Sequence, residues 1–360
     1  MARLNRIGSA AAVLVFATGI ARLEADHRPA TLAVTMTNDS VSNQIKVYDA
    51  GSRVLLQMLS TRGKGGAAGN ARGVKQFQNE IVAAVNNGSN TVAIYKRDGN
   101  TLRFDKLVTT TSAPVSVDFA NDHMYVAGAT TVDSFVMHRN NVEWLDGTAS
   151  LELAAGGAPP GGSTAQVGAI SAKRLIVALK TDPDPGTVDV VRLHDGVIVG
   201  SAPDAVSAPA GTLTPFGFSV YPDGTAVITL AHSNQAGLFR DGAFTSVIGL
   251  SQTADCWTTR AGKYVFTANT ASRTISRLIG TGNNVFVDAE VAASVPTGSP
   301  TDLDSSEGVL GVIDHGAGAS HLSLFTYTRF GELTATGAIT IGVANANGVA
   351  IMASSDRDDR

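Results

Sequence analysis

The stretch Ile81 to Lys96, IVAAVNNGSNTVAIYK, decides the fold. Two runs rich in β-branched residues, Ile81–Val85 and Thr91–Tyr95, flank Asn86, Asn87, Gly88, Ser89 and Asn90. These turn residues tolerate left-handed backbone, so the stretch reads as two short antiparallel strands. Variants recur along the chain: Leu32–Thr37 with Ile45–Tyr48, His123–Ala127 with Val132–Met137, Arg174–Leu179 with Thr187–Leu193, Thr225–Ala231 with Gly237–Arg240, Tyr264–Ala268 with Thr274–Ile279, and Val309–Asp314 with Leu322–Thr326.

Each pair is followed by a third run, such as Val54–Leu59 or Leu102–Val108, and most are preceded by a fourth, such as Val115–Phe119, Gln166–Ile170, Phe216–Val220 or Thr301–Asp304. Four strands per unit at a period of about 46 residues is blade spacing. Seven units predict an all-β, seven-bladed β-propeller of four-stranded antiparallel blades. The first unit lacks an innermost strand and the tail Asn347–Met352, NGVAIM, has no blade after it. The tail is therefore expected to pair into the first blade and close the ring, which removes the open edges a sheet must otherwise manage.

The chain has 360 residues, 44% hydrophobic and 16% charged. A net charge of -4 with no long basic stretch argues against nucleic acid as a partner. Residues 1–25 read as a secretory signal: Arg3 and Arg6 precede an apolar run, Ile7 to Ala21, that is short for a membrane span, and Ala21 or Ala25 suits cleavage. Removal after Ala25 leaves 24 basic and 30 acidic residues, a net charge of -6. The expected organisation is a signal peptide (1–25), a propeller (26–352) and a disordered tail (353–360), exported to the periplasm or outside the cell, with no span after cleavage and a monomeric state. Cys256 is the only cysteine. No intrachain disulfide can form, and this thiol reads as a small buried residue rather than a nucleophile.

VAAVNNGSNTVAIYKRDG and FTANTASRTISRLIG are similar to the YVTN repeat, in which a strand ends in Asn before a small polar turn. SVYPDGTAVITLAHSN and TTRAGKYVFTANTASRT resemble the inner-strand, turn and second-strand unit of lactonase-like seven-bladed propellers, a family that includes bacterial 6-phosphogluconolactonases and fungal carboxymuconate-cyclising enzymes. The resemblance covers nearly all of 31–352. It implies the propeller fold and, for activity, lactone or ester chemistry. The Gly-Pro-Arg-His run that lactonase members carry before an inner strand is absent. SAPVSVDF, LTPFGFSV, TADCWTTR and GSPTDLDS stand in the corresponding places, so no catalytic residue transfers.

Three long connections, Thr61–Gln76, Asp146–Thr164 and Gly200–Pro215, should lie on the same face of the ring as the polar turns at Asn38, Asn86, His232, Asn269 and His315. Long loops gathered on one face often carry function. On that face the candidate catalytic residues are His232, as a base, with Asp255 and Arg273 to orient substrate and stabilise an oxyanion. Candidate ligand-binding residues are Asn86, Asp118, Asn269, Asp302 and His315. Each also has a structural reading, since His, Asp and Asn cap turns and satisfy backbone amides.

No resident cofactor is expected. Asp302, Asp304 and Glu307, or Asp182 and Asp184, offer alternating oxygens that suit calcium without matching the twelve-residue calcium loop, and no zinc-ligand spacing occurs. There is no G-x-S-x-G elbow and no P-loop ending. The leading expectation is a module that binds a small polar ligand or a protein partner through its loop-rich face. A lactonase or related ester hydrolase acting in the central funnel is the alternative.

Overall fold

The computed structural model describes residues 30–151, 163–182 and 185–354. The expected signal peptide lies outside these residues, as do the tail from 355, most of the 146–164 connection, and Asp184. Seven antiparallel sheets form the blades: six of four strands and one, the fourth, of five. The closing strand Asn347–Met352 is innermost in blade 1 and pairs with Leu32–Met36, in register Leu32↔Met352 through Thr35↔Val349 before a bulge at Met36. Thr35 Oγ1 donates to Gly348 O across the joint at 2.7 Å, and Gly348 takes the left-handed φ of 71° that admits it.

Burial falls from the middle of each blade to its rim. Second strands such as Ile81–Asn86, His123–Gly128 and Ala226–Leu230 are buried at every position. They read as unbroken apolar runs because blades stack on both of their faces. The outermost strand of blade 1, Leu55–Ser60, is buried at no position, and the outer strands of the other blades leave most of their residues exposed or half-buried. In blades 1, 2, 3, 5 and 7 the fourth strand bulges against the third opposite a buried aromatic: Tyr48, Tyr95, Phe135, Phe239 and Phe325. A bulge increases local twist, and the ring places its large aromatic side chains where the blades must curve apart.

Three details differ from the sequence reading. The inner strand of blade 2, Val74–Phe77, begins inside the stretch read as connection 61–76. The stretch 200–215 is not all connection: Asp204–Ser207 continues the rim of blade 4 by pairing with Thr187–His194, after a two-residue strand Val197–Ile198. Ala353 is buried and its amide donates to Asn79 Oδ1, so the ring extends one residue past the expected boundary at 352. Among the described residues no helix is long and apolar enough to cross a membrane.

Deleting 347–360 removes the closing strand and with it the buried Val349, Ala350, Ile351 and Met352. At about 1.5–3 kcal/mol for each large side chain, the loss is on the order of 5 kcal/mol before the exposed edge at Leu32–Met36 is counted. The truncated chain should lose its cooperative thermal transition by circular dichroism, whereas Val41→Ser at an exposed turn should leave it unchanged.

Candidate functional site

The second strands end, and the inner strands begin, on one face of the ring, here called the mouth. The connection from blade 1 to blade 2 does not stay on the surface. Residues 64–72 run across the mouth of the central channel as a strap whose lower end, Asn70 and Ala71, is buried. The strap is tied to inner strands around the ring. Ala71 N donates to Ala165 O of blade 4 at 2.9 Å, and Val117 N of blade 3 donates to Arg72 O. The Trp257 indole N–H of blade 6 donates to Asn70 O at 2.8 Å. Asn70 and Asn347 join through their side-chain amides, so the strap also holds the closing strand.

Two of the candidate ligand residues converge on the base of the strap. Arg72 sits 3.5 Å from Asp118 and donates through Nη2 to Phe218 O, while its backbone N donates to Asp302 Oδ2 at 3.2 Å. Asp118 Oδ2 also accepts from Ala169 N. Burial pushes the Asp302 carboxyl up to about 8, although the amides of Leu303 and Arg72 pull the other way. The funnel carboxylates are therefore engaged by the chain's own arginine and backbone. Asp304 lies 4.0 Å from Lys75 and accepts from Ile351 N. Among the described residues no group of three His, Cys, Asp or Glu side chains gathers as a metal site.

Above the strap lies a cavity of about 590 Å³. Its wall takes Thr37, Asn38, Asp39 and Ser40 from the blade 1 turn, Gly66–Gly69 from the strap, and His315, Asn345 and Asn347 from blade 7 and the closing segment, with Trp257 and Thr301 from inner strands. Asn38, at a left-handed φ of 54°, donates through Nδ2 to Ala67 O and accepts through Oδ1 from Gly66 N and Ala67 N. His315 Nδ1 lies 2.9 Å from Ala344 O and from Ser320 Oγ. Because a carbonyl can only accept, a neutral ring in this contact carries its proton on Nδ1. The amides of Val41 and Ser42 hold the Asp39 carboxyl below the usual carboxylate range.

The other candidates are placed apart. His232 is in the 3-10 turn Ala231–Ser233 of blade 5, with Nδ1 2.6 Å from Asp182 Oδ1 of blade 4, and both side chains are more than half exposed. Asp255 is wholly buried beside Asn269, its partner in strand register. Burial, with Glu290 adding, drives its carboxyl well above the usual range. Among the described residues, neither Asp255 oxygen nor Asn269 Oδ1 has a hydrogen-bond partner. Asn269 Nδ2 donates to Thr274 and Ser276. Asn86 is spent on the blade 1–2 seam, donating to Thr61 O and accepting from Asn43 Nδ2. Burial pushes the Cys256 thiol up to about 12. Arg273 is at a left-handed φ of 56°, the turn position that Asn90 and Asn234 occupy in blades 2 and 5. The expected grouping of His232 with Asp255 and Arg273 does not form: one lies on the surface facing blade 4, and another is sealed inside blade 6.

Sequence reasoning passed over Trp257, Asn70 and Lys180. Lys180 follows a second strand, Arg174–Leu179, and its buried ammonium donates to Ala68 O and Gly69 O at 2.6 and 2.7 Å. Burial pulls its amine down to about 8. A lysine just past a buried apolar run was the available signal.

No family model matches the chain, and no curated protein matches it. Solved structures do share its fold. A candidate 6-phosphogluconolactonase from Bacteroides uniformis superposes with a TM-score of 0.64 at 15% identity, over 89% of this chain and 99% of that one. The periplasmic gluconolactonase PpgL of Pseudomonas aeruginosa gives 0.62 at 14%, over 90% and 99%. A catalytically inactive variant of virginiamycin B lyase from Staphylococcus aureus, solved with quinupristin, gives 0.51 at 13%, over 79% and 92%. The chain thus has the lactonase-like seven-bladed propeller fold; at these identities the likeness extends to the fold alone.

The buried carboxyl and the strained turn each generate a measurable outcome. Between about pH 4 and 8 the native state keeps a proton on Asp302 that the unfolded chain releases, so this group's contribution to stability falls as pH rises through that window. Asp302→Asn should flatten the fall in melting temperature between pH 5 and 8; equal slopes for variant and parent would contradict the assignment. Arg273→Asn should raise stability by about 0.5–1 kcal/mol, because Asn tolerates left-handed backbone better than Arg. Chemical denaturation measures that gain, and a loss of turnover on any lactone would instead make Arg273 part of the chemistry.

Proposed function

We propose that this protein is an exported binding propeller that takes a small polar ligand into the cavity over the strap. The observation that carries this reading is the cavity itself. At about 590 Å³ it is in the size range of small-ligand sites. Its wall mixes hydroxyl and amide groups with the Asp39 carboxyl, the His315 imidazole, one indole and the apolar Val343. The channel beneath is filled by Asn70, Ala71 and Arg72, so a ligand has the mouth and not the axis to occupy. Trp257 lines the cavity with the 8% of its surface left exposed, its N–H spent on the strap and its ring packed against Phe216.

Hydrolysis of a lactone or related ester is the second reading, supported by two imidazoles on the mouth face. His232 is oriented by Asp182, and His315, on the cavity wall, is fixed by Ala344 O with its Nε2 lone pair available. Either could take a proton from water.

Trp144 and Trp257 are the two tryptophans, and Trp144 is exposed on the rim of blade 3. In a Trp144→Phe background, emission therefore reports the cavity. Sugars, polyols and sugar acids at millimolar concentration should change that emission saturably, and Asn38→Ala should weaken the response several-fold. Absence of any saturable change across the panel would remove the cavity reading. In parallel, lactone hydrolysis lost in His232→Ala or His315→Ala at unchanged melting temperature would establish the second reading and name its base.

A further inference from the structure

The strap is a chain segment whose carbonyls are captured on one side. Ala67 O accepts from Asn38 Nδ2, Ala68 O and Gly69 O from the Lys180 ammonium, and Asn70 O from the Trp257 indole. The neighbouring amides are also spent: Gly66 N and Ala67 N on Asn38, Ala71 N on Ala165 O, and Arg72 N on Asp302. The amides of Ala68, Gly69 and Asn70, between them, donate to no acceptor among the described residues. In a planar trans peptide, N–H and C=O point in opposite directions. The three peptides joining 67 to 70 turn their carbonyls to Asn38 and Lys180, so their three N–H groups face away from those side chains. Ala68 and Gly69 are exposed there and line the cavity.

From this arrangement we infer that the amides of Ala68 and Gly69 bind the oxyanion end, carboxylate or phosphate, of the ligand that enters the cavity. The inference rests on the cavity reading above and adds the ligand's charge. Successive amides around a left-handed residue form an anion-binding concavity, and Gly69 has a φ of 56°. Two cations, Lys180 and Arg72, lie behind the strap, Arg72 beside Asp118, and Asp39 is the acidic residue on the cavity wall. The Lys180 ammonium also polarises the peptides whose carbonyls it holds, which strengthens their N–H groups as donors.

The test is amide-resolved NMR of the full-length chain titrated separately with gluconate, inorganic phosphate and neutral sorbitol, with the Trp257 indole signal followed in the same spectra. Saturable shifts of the amides of Ala68 and Gly69 with gluconate or phosphate, and not with sorbitol, are expected. Gluconate acting alone would identify a carboxylate site and phosphate alone a phosphate site. Gly69→Ala would set a Cβ 3.0 Å from Lys180 Nζ at a left-handed φ. It should weaken the anion at least tenfold and leave the response of Trp257 to sorbitol in place. If gluconate and sorbitol move Trp257 equally while the two amides stay still, the anion site is overturned and the cavity reading stands. If neither the amides nor Trp257 respond to any of the three, both fall.

Discussion

The pairing of Asn347–Met352 with Leu32–Met36 is the joint on which the ring depends. Every other blade is built from consecutive chain and forms from local hairpins. Blade 1 alone must wait for a strand more than three hundred residues away, and until it arrives the fully buried strand Leu32–Met36 has a bare edge. The joint also reaches the functional face. Asn347 begins the closing strand, lines the cavity and clasps Asn70 of the strap, so closing the ring and seating the strap are one event.

A propeller's axial channel is lined by the inner edges of its innermost strands, whose backbone groups need partners. Here the strap supplies several of them. Asn70 serves Val115 O, Ala71 serves Ala165 O, and Arg72 answers Val117 N, Phe218 O and the carboxylates of blades 3 and 7. The glycines at 63, 65, 66 and 69 let the chain make this crossing. A Cβ at Gly65 would lie 2.4 Å from the Asn38 backbone, and Gly66 and Gly69 take positive φ. The cost of the arrangement is that the channel is given up as a binding site, and recognition moves outward to the mouth.

Strands, blade number and closure were legible because buried sheet demands long β-branched runs and Asn-rich turns, which repeat and can be counted. The strap was not, because GKGGAAGNARG carries neither periodicity nor large side chains and its glycines suit a surface loop as well as a crossing. Asp118 and Asp302 were visible as inner-strand carboxylates, but their convergence on Arg72 depends on the strap reaching both blade 3 and blade 7, which no local pattern records. His232 looked like a partner for Asp255 in sequence; strand register buries one and leaves the other on the surface facing Asp182. The aromatic bulges at Tyr48, Tyr95 and Phe135 repeat too irregularly, in blades of unequal length, to be counted as a motif.

Arg97 sits on the face opposite the cavity and holds both ends of the described chain, donating to Ala30 O and to Ala353 O. Chain entry and exit are thereby gathered at one point on the far side of the ring. A single guanidinium thus pins the first strand's approach and the closing strand's exit together on the side of the ring away from the cavity.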